Sequence, residues 1–338
     1  MQPADFDPNA EAVYDGIFGL PTEPDEATVV LIPVPFDATT SYRRGAAAGP
    51  EAILHASWQV DLHDIETGDP WRAGIAMLPT SPEVVAWNQQ ARDAADRARA
   101  NHHDAASTAR VNELSARLTQ WVTDQTSEVW RDDRIVGIVG GDHACPLGAI
   151  EIAARREPGL GVLHIDAHAD LRDSFEGFDQ SHASIMHNVL ARCPDIAKLV
   201  QVGVRDLCAA EIDTIERAHG KIRTFFDASV ATRLLDGESF GSVVREILAE
   251  LPDRVWISFD IDGLDPSLCP STGTPVPGGL TFQQACYLLG ALVRSGRRVV
   301  GFDLCEVAGP PEGDGIDGIV GARVLYKLVG WSLVSWGR

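Results

Sequence analysis

Titratable side chains occupy every second position in part of one short stretch, "GVLHIDAHAD", at residues 161–170. Its first half is apolar, as in a buried strand, and the remainder carries His164, Asp166, His168 and Asp170. Residues at i, i+2 and i+4 of an extended segment point to the same side of it. The spacing therefore aims several side chains at one point beyond the end of a strand, as metal coordination requires.

Two further apolar stretches end in the same kind of group. "IVGGDHAC" ends with Asp142 and His143, and "SFDIDGLDP" carries Asp260, Asp262 and Asp265. Carboxylates packed this closely would repel one another unless cations neutralised them. Oxygen and imidazole ligands without thiolates favour divalent ions over a structural zinc–thiolate site. Because there are more ligands than one ion needs, the sequence predicts two ions bridged by shared carboxylates, a pair that lowers the pKa of water.

Each acidic residue has an alternative explanation as the cap of a helix or a turn. For any one motif alone, that explanation would be preferred. Three such motifs at successive strand ends favour the metal site instead. His164 lies one residue pair deeper than the other ligands, so we expect it either in the core or behind a metal ligand that it orients.

Short apolar segments alternate with segments of helical periodicity along most of the chain. The predicted strands are "TVVLIPVPF", "RIVGIVG", "LGVLHID", "KLVQVGV", "KIRTFF", "RVWISFDID" and "RRVVGFDL". This alternation predicts an α/β fold, a mostly parallel sheet with helices on both faces, whose ligands bind outside the carboxyl ends of the strands. We expect an irregular acidic arm over residues 1–27 and one domain over 28–338, with a hairpin or an extended excursion at 59–80.

The composition excludes several classes of function. The 338 residues carry a formal net charge of −21, which opposes binding to nucleic acids and anionic membranes but not to a cationic substrate. Six cysteines are scattered without a CxxC pair, as in a reduced protein. The acidic N-terminus has no signal-peptide pattern, and no apolar run reaches membrane-spanning length. We therefore expect a cytoplasmic protein.

The three motifs, "GGDH" (140–143), "DAHAD" (166–170) and "SFDIDGLDP" (258–266), resemble the metal motifs of the ureohydrolase family in type and order. That family comprises arginases, agmatinases and their relatives, and the resemblance covers about residue 28 to the end. It implies a single arginase-like domain with an eight-stranded sheet and two divalent ions, nickel or manganese. One ion would be held by His143, Asp166, Asp170 and Asp260, and the other by Asp166, His168, Asp260 and Asp262.

Two further positions match the family. His182 in "SHASIMHN" lies where the family has a proton-shuttling histidine, and Glu306 in "DLCEVAG" lies where a glutamate grips the guanidinium. The resemblance thus implies that Asp170, His182 and Glu306 are catalytic and that His182 and Glu306 also bind substrate. A metal-bridging hydroxide would cleave a guanidino C–N bond, releasing urea and an amine or ammonia. It also implies a homohexamer or trimer, or a heteromer with a homologous subunit.

Several departures from the family concern the substrate. Ala144 replaces a usual serine, "SHASIM" replaces "SHGTPF", and Ala308-Gly309 replaces Asn-Pro. In these details the chain is similar to the guanidine hydrolase and metformin (biguanide) hydrolase branch. The loop "LRDSFEGFDQS" has no evident amino-acid clamp, and "VAGPPEGDG" is a candidate lid. Arg172 would repel a second cation unless Asp173 or Glu176 neutralised it, or it forms a structural salt bridge. We therefore expect a small guanidine compound as substrate.

Three other functions compete with this one. An agmatinase or a guanidino-acid hydrolase would use the same chemistry on a longer substrate. A supporting subunit of a heteromeric ureohydrolase would tolerate the loss of metal ligands, whereas all six are present here. A deacetylase on a related fold would use one zinc ion with tandem histidines, and "GGDH" with two paired-acid motifs argues against it.

Overall fold

A single sheet of eight parallel strands organises the chain. The computed structural model describes residues 6–12, 14–101, 104–130, 133–310 and 312–338. Within them the strands lie in the order β2-β1-β3-β8-β7-β4-β5-β6. Their bounds are β1 Val29–Val34, β2 Ile75–Met77, β3 Ile135–Gly140, β4 Gly161–Ile165, β5 Lys198–Val202, β6 Ile222–Phe225, β7 Arg254–Asp260 and β8 Arg298–Cys305.

Helices connect the strands and cover the sheet. The described residues form ten α-helices: α1 Gly49–Ser57, α2 Pro82–Ala100, α3 Ala105–Val129, α4 Leu147–Arg156, α5 Ile185–Arg192, α6 Ala209–Arg217, α7 Asp227–Leu235, α8 Phe240–Glu250, α9 Phe282–Arg294 and α10 Ile316–Ser335. In the part of the chain that the structure describes, no helix is both long and apolar enough to cross a membrane.

Alternate residues of the strands enter two separate cores, one on each face of the sheet. In β1, Val29 and Leu31 join one core while Val30 and Ile32 join the other. All six residues of this strand are buried. Strands covered on both faces are apolar throughout, and this explains why the strands could be recognised as short apolar runs. The prediction of an α/β fold with a mostly parallel sheet is confirmed.

Two elements differ from expectation. Residues 59–80 contain one antiparallel bridge, between Asp64 and Gly68, followed by a 3₁₀ helix at Pro70–Ala73 and the edge strand β2, which pairs in parallel with β1 and was not predicted. The helix α7 follows β6 directly and was not predicted. Within the acidic arm, Ile17, Phe18 and Leu20 are buried in the core that contains Val29 and Leu31. This part of the arm therefore packs onto the domain.

Candidate metal centre

The acidic motifs meet at the centre of the sheet. Strands β3, β8, β7 and β4 are neighbours and run in parallel, so their carboxyl ends lie at one edge. His143 follows β3, Asp166 and Asp170 follow β4, Asp260 ends β7 and Glu306 follows β8. Side chains from four strand ends are thus brought together by the sheet order alone.

One nitrogen of His143 faces three carboxylates. Its Nδ1 lies 2.9 Å from Asp166 Oδ2, 3.2 Å from Asp260 Oδ2 and 3.4 Å from Asp170 Oδ2. All four side chains are buried. Asp170 is held with a backbone φ of 54°, in the left-handed region that few non-glycine residues adopt. The four residues expected around one ion therefore converge.

His168 forms a second group. Its Nδ1 lies 3.1 Å from Asp262 Oδ2 and 3.4 Å from Asp166 Oδ1. Asp166 directs one oxygen to His143 and the other to His168, so it joins the two groups. Asp260 reaches the second group through its Oδ1, which accepts a hydrogen bond from the backbone N–H of Asp262 at 2.8 Å.

His164 is buried and also contacts a ligand residue. Its Nε2 lies 2.8 Å from Asp166 Oδ2, and Gln201 Nε2 donates to its Nδ1 at 3.0 Å. Because Nδ1 accepts that bond, Nε2 carries the proton and donates to Asp166. The amide of Gln201 is fixed in turn by the hydroxyl of Thr224, which donates to its Oε1 at 2.9 Å. Gln201 escaped the sequence analysis, although a buried amide within an apolar strand is a signal of such a role.

A buried carboxylate orients His143 from the opposite side. The ring Nε2 of His143 lies 2.9 Å from Ser258 Oγ, and that hydroxyl donates to Asp303 Oδ1 at 3.0 Å. The indole N–H of Trp256 donates to Asp303 Oδ2 at 2.6 Å. Since Ser258 donates to Asp303, it accepts from Nε2–H of His143. The lone pair of Nδ1 then faces the carboxylates, available to a cation.

Without bound cations, the clustered charges shift the pKa values of these side chains. Burial and the charge of Asp166 raise the pKa of Asp170 to about 6. Burial, with Asp262 and Asp166 nearby, raises the pKa of Asp260. Burial lowers the pKa of His168, but the carboxylates of Asp262 and Asp166 outweigh it and raise that pKa to about 12. These carboxylates and imidazoles converge, and some of them retain protons strongly. Such an arrangement is typical of a site for divalent cations.

Glu306 lies beside this cluster with one oxygen engaged. The backbone N–H of His143 donates to its Oε1 at 3.1 Å. Its Oε2 is buried and has no hydrogen-bond partner among the described residues. A Cβ on Gly273 would lie 3.2 Å from that oxygen, so a glycine keeps the space in front of it open. Burial and the negative charges of Asp142 and Asp262 raise the pKa of Glu306.

His182 stands at the opposite wall of the site. The backbone N–H of His182 donates to Thr39 Oγ1 at 3.0 Å, while its Nδ1 lies 3.4 Å from the same hydroxyl and its Nε2 lies 3.4 Å from Ser41 Oγ. The ring of Phe175 packs edge-on against it, with centroids 5.9 Å apart. Desolvation and the charge of His168 lower the pKa of His182 to about 3, so the imidazole is neutral at physiological pH.

A cavity of about 160 Å³ opens onto three of the candidate site residues, His168, Asp170 and His182, whereas Glu306 does not line it. Its lining combines members of the metal cluster with residues of the following loops: Ser41, His168, Asp170, Arg172, Phe175, His182, Ala183, Asp206, Leu207, Glu211 and Thr274. Of the candidate lid after Glu306, the described residues 307–310 and 312–315 do not line this cavity. Gly313 packs on α1 instead, where a Cβ would lie 2.5 Å from the backbone nitrogen of Ala56.

Arg172 both lines the cavity and forms a salt bridge. Its Nε lies 3.8 Å from Glu211 Oε2, and its guanidinium stacks on Phe175, 4.9 Å from the ring centroid. Glu176 does not neutralise it, because Glu176 pairs with Arg99 at 2.7 Å. Glu211 was not singled out from the sequence. Its carboxylate also accepts hydrogen bonds from two backbone N–H groups, those of Leu171 and Cys208.

Comparison with known proteins agrees with this geometry. The sequence profile of the arginase family matches residues 27–330. The chain belongs to the arginase family. It is 33% identical over 317 residues to an N(1)-aminopropylagmatine ureohydrolase of Synechocystis, covering 93% of this chain and 90% of that protein. It is 27% identical to a guanidinobutyrase of Pseudomonas aeruginosa, covering 91% and 88% of the two chains.

The fold of this arginase-family chain is also similar to solved structures. An agmatine ureohydrolase of Thermoplasma volcanium superposes with a TM-score of 0.72 at 22% identity, covering 98% of this chain and 97% of the other. Arginase-family ureohydrolases are metal-dependent hydrolases of guanidino groups, and so is this chain. The deacetylase alternative is thereby excluded.

Proposed function

We propose that this ureohydrolase binds the guanidinium of its substrate through Glu306 and hydrolyses one of its C–N bonds. One water is consumed, and urea and an amine are released. The observation that carries this proposal is the buried Oε2 of Glu306, which lies beside the metal cluster without a partner among the described residues. An ionised carboxylate there requires a cation, and a planar guanidinium supplies two parallel N–H donors.

We assign two divalent ions, nickel or manganese, to the cluster. The first is held by His143, Asp166, Asp170 and Asp260, and the second by Asp166, His168, Asp260 and Asp262. Bound together, such ions lower the pKa of water and supply a nucleophile near neutral pH. The mixture of oxygen and imidazole ligands suits both metals, and intrinsic affinity favours nickel.

We assign the movement of the proton to His182. The amine leaves readily only when its nitrogen is protonated, and a positioned imidazole transfers protons efficiently. Because the pKa of His182 is lowered to about 3, the ring enters the cycle neutral. It is protonated only transiently, as the proton released from the attacking water passes through it to the departing nitrogen. Its position in the wall of the cavity that Asp170 also lines supports this role.

We propose, as the first candidate substrate, a guanidine whose substituent carries a second amine, such as agmatine or N1-aminopropylagmatine. The outer wall of the cavity carries two acidic residues, Asp206 and Glu211, against the single cation of Arg172. The carboxylate of Asp206 is exposed and forms no ion pair within the described ranges, so it is available to an ammonium group. The similarity to the N(1)-aminopropylagmatine ureohydrolase of Synechocystis supports the same substrate class.

A second candidate is a small guanidine, methylated guanidine or biguanide, as in the guanidine hydrolase and metformin hydrolase branch. One observation favours it: Arg172, stacked on Phe175, lines the outer cavity and opposes a second cation. A buried unpaired ammonium would cost more binding energy than the loss of a few methylene contacts.

One assay separates the two candidates. Urea release is measured with guanidine, dimethylguanidine, metformin, guanidinobutyrate, agmatine and N1-aminopropylagmatine, after reconstitution of metal-free protein with nickel or with manganese. If kcat/KM for agmatine or for N1-aminopropylagmatine is at least about tenfold higher than for the small guanidines, the first candidate is supported. The opposite order supports the second. No urea from any substrate with either metal would contradict the proposed function.

We further propose that the chain assembles as a homohexamer or trimer and needs no homologous subunit, although a heteromer is the alternative. The six ligand positions are all filled, which supports a catalytic rather than a supporting chain. Light scattering on the purified protein measures the assembly. Urea release by the same sample, expressed without any second chain, tests its independence.

A further inference from the structure

Four polar residues recur on one face of α2. Their spacing of i, i+4, i+8 and i+11 places them in one row along the helix. Each contacts the loop of residues 37–45, which connects β1 to α1 and contributes Ser41 to the cavity. The four are Asn88, Arg92, Asp96 and Arg99.

The contacts run along the whole loop. Asn88 Oδ1 accepts from the backbone N–H of Asp37 at 3.0 Å, and Arg92 Nε lies 3.5 Å from Asp37 Oδ1. Further along, Arg44 Nη1 donates to Asp96 Oδ2 at 3.0 Å. The loop is therefore fixed to α2 at several points rather than held by packing alone.

Of the four residues, Arg99 is the one connected most directly to His182. Its Nη2 donates to the backbone carbonyls of Thr39 at 3.2 Å and Thr40 at 3.0 Å. Its Nε pairs with Glu176 at 2.7 Å, in the loop between the metal motif and His182. One guanidinium thus ties together two loops that line the cavity.

Thr39 connects Arg99 to His182 through hydrogen bonds. Its hydroxyl accepts from the backbone N–H of His182 at 3.0 Å and donates to Asp142 Oδ2 at 2.7 Å. The backbone N–H of Thr39 also donates to Asp142 Oδ2, at 3.1 Å. Thr39 is therefore fixed at its carbonyl by Arg99 and at its hydroxyl and N–H by Asp142, and it fixes the position of His182.

We propose that Arg99 is a positioning residue for the reaction: through Thr39 and Glu176 it holds His182 at the distance that proton transfer requires. The inference rests on the proton-transfer role proposed for His182. A displacement of about 1 Å in a reacting group can lower a rate by two orders of magnitude. The side chain of Arg99 is only 23% exposed, so its loss can lower stability as well. A positioning role therefore has to appear in kcat, measured on protein whose folded fraction and metal content are known.

The variants are Arg99→Met, which keeps the apolar stem, and Arg99→Lys, which keeps the charge but lacks the planar fork. Arg97→Met, at an exposed position of the same helix, is the matched control. We expect Arg99→Met to lower kcat by about 10- to 100-fold with metal content and KM unchanged. Arg99→Lys should be intermediate, and Arg97→Met should behave as the unmodified protein.

A double-mutant cycle decides whether Arg99 acts through His182. If it does, Arg99→Met has no further effect on kcat in a His182→Ala background. An equal fold-change in both backgrounds would overturn the inference, as would a loss of activity that only follows a loss of metal or of folded protein. If His182→Ala alone leaves kcat unchanged, the proposed proton transfer fails instead. Should Arg99→Met not fold, Arg99→Lys serves in the same cycle.

Discussion

A single imidazole illustrates how much of the site depends on residues behind it. His143 can offer Nδ1 to a cation only while Nε2 keeps its proton, and Ser258 and Asp303 ensure that it does. The sequence predicted His143 because "GGDH" is one of three acidic motifs that follow successive strands. It did not predict Asp303, which lies 45 residues from Ser258 and is brought to it only by the pairing of β7 with β8.

The role of Asp303 can be tested through metal affinity. Asp303→Asn keeps the shape of the side chain but removes the charge that holds the Ser258–His143 arrangement. We expect the dissociation constant of the ion assigned to His143 to rise by about 10- to 100-fold, the range for a carboxylate behind a metal ligand. Competition with a chromogenic chelator measures it. Asp213→Asn, on the exposed face of α6, is the control, and equal affinities in the two variants would remove Asp303 from the metal site.

Glu306 allows a prediction about substrate binding. Glu306→Gln preserves the size of the side chain but removes the charge that faces the guanidinium. A hydrogen bond to a charged group contributes about 1.5–3 kcal/mol, so kcat/KM should fall by roughly one to two orders of magnitude. Metal content should be unchanged.

The matched control for that prediction is Glu216→Gln, at an exposed position of α6, which should have no effect. Kinetics of Glu306→Gln close to those of the unmodified protein would mean that the guanidinium binds elsewhere.

At the scale of the elements, most strands were predictable because both faces of the sheet are buried and the strands are correspondingly apolar. The strand β2 was not, since three residues at the sheet edge carry almost no periodicity. The contacts of α2 with the 37–45 loop could not be predicted from the sequence either. They join residues more than fifty positions apart, such as Arg44 and Asp96, and helical periodicity indicates that a polar face exists without indicating what it touches.

Glycines in the central strands make a prediction about packing. A Cβ on Gly301 of β8 would lie 2.4 Å from Trp256 Cζ3, in a rigid ring that is completely buried. Gly301→Ala should therefore destabilise the protein by about 1–3 kcal/mol, the usual cost of overpacking. Urea denaturation provides the measurement.

A second glycine supplies the control for packing. At Gly241 in α8 a Cβ would meet only the outer ends of two side chains: the phenol end of Tyr287, which is 45% exposed, and Nη1 of Arg245. Gly241→Ala should be neutral or stabilising, because alanine favours the helix by about 0.5–1 kcal/mol. If both substitutions changed the free energy of unfolding equally, the ring of Trp256 would have to move aside at little energetic cost.

At the scale of the whole molecule, the alternation of strands and helices predicted the fold class but not the sheet order. The order brings β3, β8, β7 and β4 side by side although β8 comes last in the chain. The motifs indicated which residues are candidate ligands, and only this order places Glu306, which follows β8, between the motifs that follow β3 and β7. The arrangement also concentrates negative charge at one edge of the sheet, in a protein whose net charge is already −21.

That concentration of charge predicts how stability depends on pH and on metal. In chelator-treated protein the pKa of His168 is raised from 6.5 to about 12, mainly by Asp262 and Asp166 against the effect of burial. The pKa of Asp260 is also raised by burial and by the same neighbours. Above pH 6.5 the folded chain then binds more protons than the unfolded chain. Its free energy of unfolding must fall as the pH rises. His182 has the opposite effect, but the unfolded chain binds its proton at about 6.5 and the folded chain only at about 3, so that effect lies mainly between pH 3 and 6.5.

Divalent ions remove this dependence because they replace the protons. The ligands must be deprotonated to bind a metal ion, so binding tightens as the pH rises and offsets the loss of stability. We expect the midpoint of thermal unfolding to fall between pH 6.5 and 8 in chelator-treated protein and to stay nearly constant with saturating nickel or manganese. The difference between the two samples should therefore widen across that range. Two parallel pH profiles would mean that the cluster is not where the ions bind.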